Sequence, residues 1–196
     1  MFQIIFSAKF WILIKKRSYK NEKGYFSCTG THDAFSLCFM RKREEQSIPS
    51  MIKAAYKGLE SETWIRSIPR AKKFTASGEH ADYDTKYRIG ISAESMDKYI
   101  EEAYYSCPDI QPNTYELTMV KIKEGVSAEP LMHEMVKGAD LYKWICMGAD
   151  QAAGAYFGDY IVMVLGSTEQ IDAVFASFKK LHPDMSEVFY RIEREK

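Results

Sequence analysis

Six consecutive apolar residues at Tyr160–Leu165 constrain the fold of this chain more than any other segment. The run is bounded by Asp159 and Gly166, and its length is typical of a strand that is buried on both faces. Such a strand needs partner strands beside it and further structure over each face. The run therefore predicts a central strand in the sheet of a layered domain.

An amphipathic helix follows this run without a linker. Ser167 is a favourable N-cap residue, and Gln170 stands three positions later, which is the spacing of a capping box. His182-Pro183 ends the helical pattern. Four apolar residues at helical spacing form its predicted buried stripe: Ile171, Val174, Phe175 and Phe178.

The turn Gly166-Ser167-Thr168 could be taken for a phosphate-binding loop, because the N-terminus of a helix attracts anions. A P-loop requires the pattern G-x-x-x-x-G-K-[ST], and the lysine is missing here. The dinucleotide pattern G-x-G-x-x-G is missing as well. Since Ser167 is already needed as the N-cap, we predict a structural turn and not a ligand site.

The remaining patterns predict three further helices and several short strands. The helices are expected from Met51 to about Leu59 with Ser50 as N-cap, from Ser92 to Pro108, and from Ser127 to Gly138. The strands are expected near Phe74 in the polar stretch 67–83, at Tyr87–Ile91, at Thr114–Lys123 and at Glu187–Glu193. Leu141–Ala155 is ambiguous between helix and irregular structure.

The segment Thr114–Lys123 changes the phase of its apolar alternation between Met119 and Val120. Either a bulge or burial on both faces explains such a change. Alternating strands and helices predict the α+β class, as a small two-layer α/β sandwich with helices packed on one mainly antiparallel or mixed sheet.

The first fifty residues differ from the rest in charge. They hold nine Lys/Arg and four Asp/Glu, whereas the rest hold eighteen and twenty-three. A charged linker at Arg41–Ser50 closes this basic segment. We predict one α+β domain over 51–196 and expect residues 1–50 to be dispensable for its folding.

No signal peptide or lipoprotein cleavage box is readable in the basic segment. Lys15, Lys16 and Arg17 follow its apolar stretch, whereas a secretory signal carries its charges before that stretch. The stretch is also shorter than the roughly 20 residues that span a bilayer. The basic segment by itself therefore predicts no particular localisation.

The four cysteines are Cys28, Cys38, Cys107 and Cys146, and no pair has a C-x-x-C spacing. We expect free thiols, although two disulfides are compatible with the spacing. Cys146 lies in an apolar run and is expected to be buried as a small hydrophobe. The net charge of zero makes no electrostatic case for nucleic acid or a membrane surface as partner.

Candidate site residues are sparse. His133-Glu134 lacks the second histidine of H-E-x-x-H, and no G-x-S-x-G elbow is present. Asp150, Asp159 and the acidic stretch Glu79–Asp84 are predicted to be turn and solvated loop residues. We therefore predict no catalytic, cofactor-binding or metal-binding residue and no cofactor. The other histidines, His32, His80 and His182, suggest no metal site.

Three segments carry a family resemblance: YRIGISAESMDKY, YELTMVKIK, and KWICMGADQAAGAYFGDYIVMVLGS followed by a helix that ends in FKKL. Over roughly residues 87–181 the chain resembles DUF4358, a domain family of unknown function found in Firmicute bacteria. Members of that family often look like surface lipoproteins, so the resemblance implies an extracytoplasmic location. It implies no activity and no site residues.

Two function classes follow from these patterns. The first is a non-enzymatic binding or interaction module with a protein or small-molecule partner. The alternative is a small hydrolase or transferase whose site has no recognisable motif. Convergence of Glu79–Asp84 and Asp150–Asp159 around a histidine in one pocket would favour the enzyme.

Overall fold

An antiparallel sheet of six strands organises the part of the chain that the structure describes. The computed structural model describes residues 46–59, 64–65, 68, 70–109, 113–144, 147–188 and 190–193, the last four by backbone alone. The strands are β1 Lys72–Phe74, β2 Ile100–Ser106, β3 Glu116–Ile122, β4 Gln151–Phe157, β5 Tyr160–Gly166 and β6 Tyr190–Glu193. The helices are α1 Ile48–Lys57, α2 Ala81–Ile89, α3 Ala93–Tyr99, α4 Ala128–Gly138 and α5 Thr168–Leu181.

The strand order is β1-β2-β3-β5-β4-β6, and every neighbouring pair is antiparallel. The apolar run Tyr160–Leu165 forms most of β5, which lies between β3 and β4. All of its residues except Tyr160 are buried. The predicted central strand is confirmed.

Helices cover both faces of this sheet. Within β5, Val162 and Val164 belong to the core under α1 and α5, whereas Ile161, Met163 and Leu165 belong to the core under α2 and α4. The predicted α+β class and mainly antiparallel sheet are confirmed. The layers number three and not two, because an apolar strand needs cover on both sides.

Burial on both faces also explains the change of phase in β3. Leu117 and Met119 belong to the core under α1 and α5, and Val120 and Ile122 belong to the opposite core. The pairing of β3 with β5 is regular from end to end. The change of phase therefore comes from burial on both faces and not from a bulge in β3.

The helices α4 and α5 form where the sequence predicts them, and α5 buries its predicted stripe. Residues Leu131, Met132, Met135 and Val136 of α4 are buried. In α5 the Ser167 Oγ accepts from the Gln170 N–H at 3.3 Å, and the Gln170 Oε1 accepts from the Ser167 N–H at 3.0 Å. Both bonds of the predicted capping box are present.

The first helix begins earlier than predicted. It starts at Ile48 with Ser47 at the N-cap, so Ser50 lies within its first turn and is not its cap. Pro49 is compatible with that turn because the first amide groups of a helix need no partner inside it. Ile48 is fully buried, and the compact unit that contains it spans Arg43–Lys196.

The strand expected at Tyr87–Ile91 is wrong, because α2 covers Ala81–Ile89. Only Thr85 and Ile89 of this helix are buried, so its sequence lacks a strong apolar stripe. The helix expected from Ser92 has the predicted cap, with the Ser95 N–H donating to the Ser92 Oγ. It ends at Tyr99, and β2 follows where the helix was expected to continue.

The pairing of β2 explains why the helix ends at Tyr99 and a strand follows. Ile100 and Ala103 lie three positions apart, which is compatible with one face of a helix, and both are buried, but β2 reaches that burial by pairing with β1 and β3. An irregularity between Ile100 and Glu102 shifts the strand at its start. Tertiary pairing therefore overrides a spacing that is compatible with a helix.

The segment Leu141–Ala155, left ambiguous between helix and irregular structure, contains the first part of β4. A strand was expected at Glu187–Glu193, and β6 occupies Tyr190–Glu193. Among the residues described, no helix has the length and apolar character that crossing a bilayer requires.

Candidate functional site

A groove runs between α1 and the chain that leads into β1. It consists of two adjoining hollows of about 670 and 440 Å³. Ligand-binding clefts commonly have volumes of this size. The residues that line both hollows are Ser50, Lys53, Tyr56 and Ile68.

Tyr56 lines both hollows of the groove and contacts aromatic side chains of the core beneath it. The Tyr56 hydroxyl lies 3.1 Å from the Tyr115 hydroxyl, and Tyr115 is fully buried. The Trp64 ring packs at 5.1 Å from the Tyr115 ring. Burial raises the pKa of Tyr56 to about 12, so its hydroxyl stays neutral. Tyr56 therefore adds no charge to the groove.

The walls combine apolar surface with positive charge. Lys53 and Lys57 lie one turn apart on the exposed side of α1 and line the first hollow, and Arg70, from the chain before β1, lines the second hollow with Lys53. Ile65 and Ile68 supply apolar surface beside these cations. Among the described residues that line either hollow, none is acidic.

An ionic cluster lies on the opposite face of the sheet, at the start of β3. The Glu116 carboxylate accepts from Arg88 Nη1 at 2.5 Å and from Lys143 Nζ at 2.7 Å. The side chains of Glu116 and Lys143 are each only 1% exposed. Lys143 also donates to the Tyr87 carbonyl at 2.9 Å, which ties the loop after α4 to the end of α2.

The electrostatics of the cluster follow from this burial. Burial lowers the pKa of Lys143, although Glu116 opposes that effect. Burial is the largest influence on Arg88 and would lower its pKa, but Glu116, Cys107 and the neighbouring tyrosines together outweigh it, so the pKa of Arg88 is raised. Two cations therefore share a single buried carboxylate.

Cys107 borders this cluster. Its Sγ lies 3.8 Å from Arg88 Nη1, and the thiol is free. Burial and the nearby Glu116 raise the pKa of Cys107, so the protonated thiol dominates at neutral pH. A nucleophilic cysteine needs the opposite shift. The other three cysteines, Cys28, Cys38 and Cys146, lie outside the described residues.

The turn Gly166-Ser167-Thr168 has the structural role that was predicted. The Ser167 hydroxyl and backbone N–H both take part in the capping box of α5. The Thr168 hydroxyl accepts from the Gln151 side chain at 2.8 Å, which joins the turn to the start of β4.

The acidic candidates do not converge around a histidine. Asp150 and Asp159 flank opposite ends of β4, about 25 Å apart for an extended strand of that length. Asp82 accepts from the Ala93 N–H at 3.0 Å and pairs with Lys86 at 2.7 Å. Its carboxylate joins α2 to α3.

The histidines lie on separate elements. His80 precedes α2, His133 belongs to α4, and His182 ends α5, where it stacks on Phe157 at 4.0 Å. His32 lies outside the described residues. Across the described ranges, no group of three or more His, Cys, Asp or Glu residues is arranged to hold a metal ion.

Sequence reasoning missed both the groove and the ionic cluster. Glu116 was the available signal, because a carboxylate inside an otherwise apolar strand must find a charged or hydrogen-bonding partner. Which residues would supply it depends on how α2 and the loop after α4 fold back on β3.

The chain was also compared with known proteins. No family model, no curated protein and no solved structure matches it. The resemblance to DUF4358 stays a prediction.

Proposed function

We propose that this chain is a non-enzymatic binding module whose groove along α1 takes an acidic peptide segment of a protein partner. One observation carries the proposal: the groove has apolar walls and three cations, with no acidic residue among its described lining residues. A segment that alternates apolar and acidic side chains fits both properties.

Charge also favours an acidic segment of another protein over the chain's own residues 1–50 as the occupant of the groove. Residues 1–50 hold nine Lys/Arg against four Asp/Glu, so the groove and that segment have charge of the same sign. Like charges oppose binding and opposite charges accelerate it. An acidic segment from another protein is therefore the better occupant.

The alternative, a small hydrolase or transferase, draws no support from the described side chains. Lys143 has a lowered pKa, but its amine is closed off by Glu116 and the Tyr87 carbonyl. The Cys107 thiol has a raised pKa. Neither group offers an activated nucleophile to a substrate.

The test uses the full chain and an array of synthetic peptides of defined composition. Acidic peptides with interspersed Leu and Phe should bind, whereas basic peptides with the same apolar residues should not. The affinity should fall as salt increases, because exposed charges are screened. The variant Lys53→Glu/Lys57→Glu should lose this binding.

Lys73→Glu/Lys137→Glu is the matched control, since these exposed lysines line neither hollow. It should bind as the unmodified chain does. Equal losses in both variants would show a general charge effect and reject the groove. Acidic peptides that fail to bind, or that are turned over by the protein, would also overturn the proposal.

A further inference from the structure

The Arg88 guanidinium has an open edge at the ionic cluster. All of its hydrogen bonds within the described residues leave from Nη1, to Glu116 Oε2 at 2.5 Å and to Cys107 Sγ at 3.8 Å. Nε and Nη2 have no hydrogen-bond partner there. The side chain is 24% exposed, and within the described residues no fully buried side-chain nitrogen or oxygen lacks a partner, so Nε and Nη2 are open to solvent.

Two aromatic rings restrict how a ligand can reach that edge. The guanidinium carbon lies 4.3 Å from the centre of the Tyr105 ring and 4.9 Å from the centre of the Tyr87 ring. Both rings make cation–π contacts with the guanidinium and cover part of its surface. A ligand therefore approaches in the plane of the guanidinium, where its N–H groups match the two oxygens of a carboxylate or phosphate.

The charge of the cluster favours the same ligand. Arg88 and Lys143 share the one carboxylate of Glu116, which leaves a surplus positive charge. The end of α2 offsets only part of it, since a helix C-terminus carries about half a negative charge. The neighbouring Lys72 is paired with Asp109 and changes the balance little.

We propose that the open edge of Arg88 binds one oxyanion, a carboxylate or phosphate group of a small ligand, between the rings of Tyr87 and Tyr105. The site lies on the face of the sheet opposite the α1 groove and does not depend on the function proposed for that groove.

The test is a titration of the full isotope-labelled chain, followed by the amide and Arg Nε–H resonances. Inorganic phosphate and acetate are added in separate experiments, each against chloride at equal ionic strength. We expect saturable shifts of the Arg88 Nε–H signal and of the Tyr105 and Cys107 amides. A response to only one probe identifies the source of the oxyanion.

Two variants probe the geometry. Arg88→Lys keeps a positive charge for Glu116 but removes the planar fork, and it should weaken the binding about tenfold or more. If that variant loses its dispersed spectrum, Tyr105→Leu serves instead, because it keeps Arg88 and removes one ring. The control Lys86→Gln removes an exposed charge of the same helix and should leave the affinity unchanged.

Three results would overturn the proposal. The first is no saturable shift at Arg88 with either probe. The second is an equal loss of affinity in Lys86→Gln, which would mean diffuse attraction of anions. The third is a response centred on the amides of Ser167 and Gln170, which would place the anion at the start of α5 instead.

Discussion

Glu116 shows how one buried residue holds several elements together. Its carboxylate joins β3 to α2 through Arg88 and to the loop after α4 through Lys143. Glu116→Gln should lower the free energy of unfolding by about 3–5 kcal/mol, because two cations would lose their shared counter-charge. Lys143→Met should cost less, about 1–3 kcal/mol, since it removes two hydrogen bonds, to Glu116 and to the Tyr87 carbonyl, but leaves a matched Arg88–Glu116 pair.

Urea denaturation of both variants measures these costs at the same pH. The order of the two values is the sharper part of the prediction. A larger cost for Lys143→Met than for Glu116→Gln would mean that packing of the lysine stem, and not the shared carboxylate, holds this corner of the fold.

Lys143 also makes stability depend on pH. Its pKa in the folded chain is lowered, so between that value and the unfolded lysine pKa, about 10.4, the unfolded chain binds more protons. Stability contributed by this group therefore rises with pH across that window. From pH 7 to pH 10 the unfolding free energy of the unmodified chain should therefore rise relative to that of Lys143→Met. A flat difference would contradict the lowered pKa.

The helix α5 depends on its N-terminal cap. Ser167→Ala removes one of the two reciprocal bonds with Gln170 and should cost about 1 kcal/mol of stability. Ser167→Asp, which can still accept the Gln170 N–H, should recover most of the loss in denaturant unfolding. Equal stability of the alanine variant and the unmodified chain would mean that other contacts satisfy the helix end.

The contact between α2 and α4 depends on glycine. A Cβ added at Gly138 would lie 1.8 Å from the Gly90 carbonyl oxygen, which belongs to the backbone and cannot move aside cheaply. Helix propensity alone predicts that Gly138→Ala stabilises the chain by about 1 kcal/mol. We expect destabilisation by about 1–3 kcal/mol instead, because the helices must separate. A fall in the thermal midpoint of Gly138→Ala would support the close contact with Gly90, and a rise would support helix propensity as the dominant effect.

The boundary of the folded unit can be tested on shortened chains. A chain of residues 43–196 should unfold cooperatively, because it keeps the whole of α1 and lies within one compact unit. A chain of residues 51–196 loses the fully buried Ile48 and should be about 2–5 kcal/mol less stable. That residues 1–50 are dispensable as a whole stays a prediction. Aggregation of the 43–196 chain would show that part of the first 42 residues supplies core surface.

Local sequence determined those elements in which the pattern of apolar residues and the capping residues indicate the same helix or strand. The apolar run of β5 and the capping box at Ser167 each predicted the element that forms, because at both places the burial pattern and the capping residues favour the same structure. The α+β class followed from the alternation of predicted strands and helices along the chain.

Only the tertiary structure decided the rest. The segment at Ile100–Ser106 became a strand because β1 and β3 flank it, and α2 forms although it buries only two residues. The groove and the Arg88–Glu116–Lys143 cluster join residues that are far apart in the chain. Their chemistry depends on distances that a periodic pattern does not encode, since a charge finds its partner only after the strands and helices have packed.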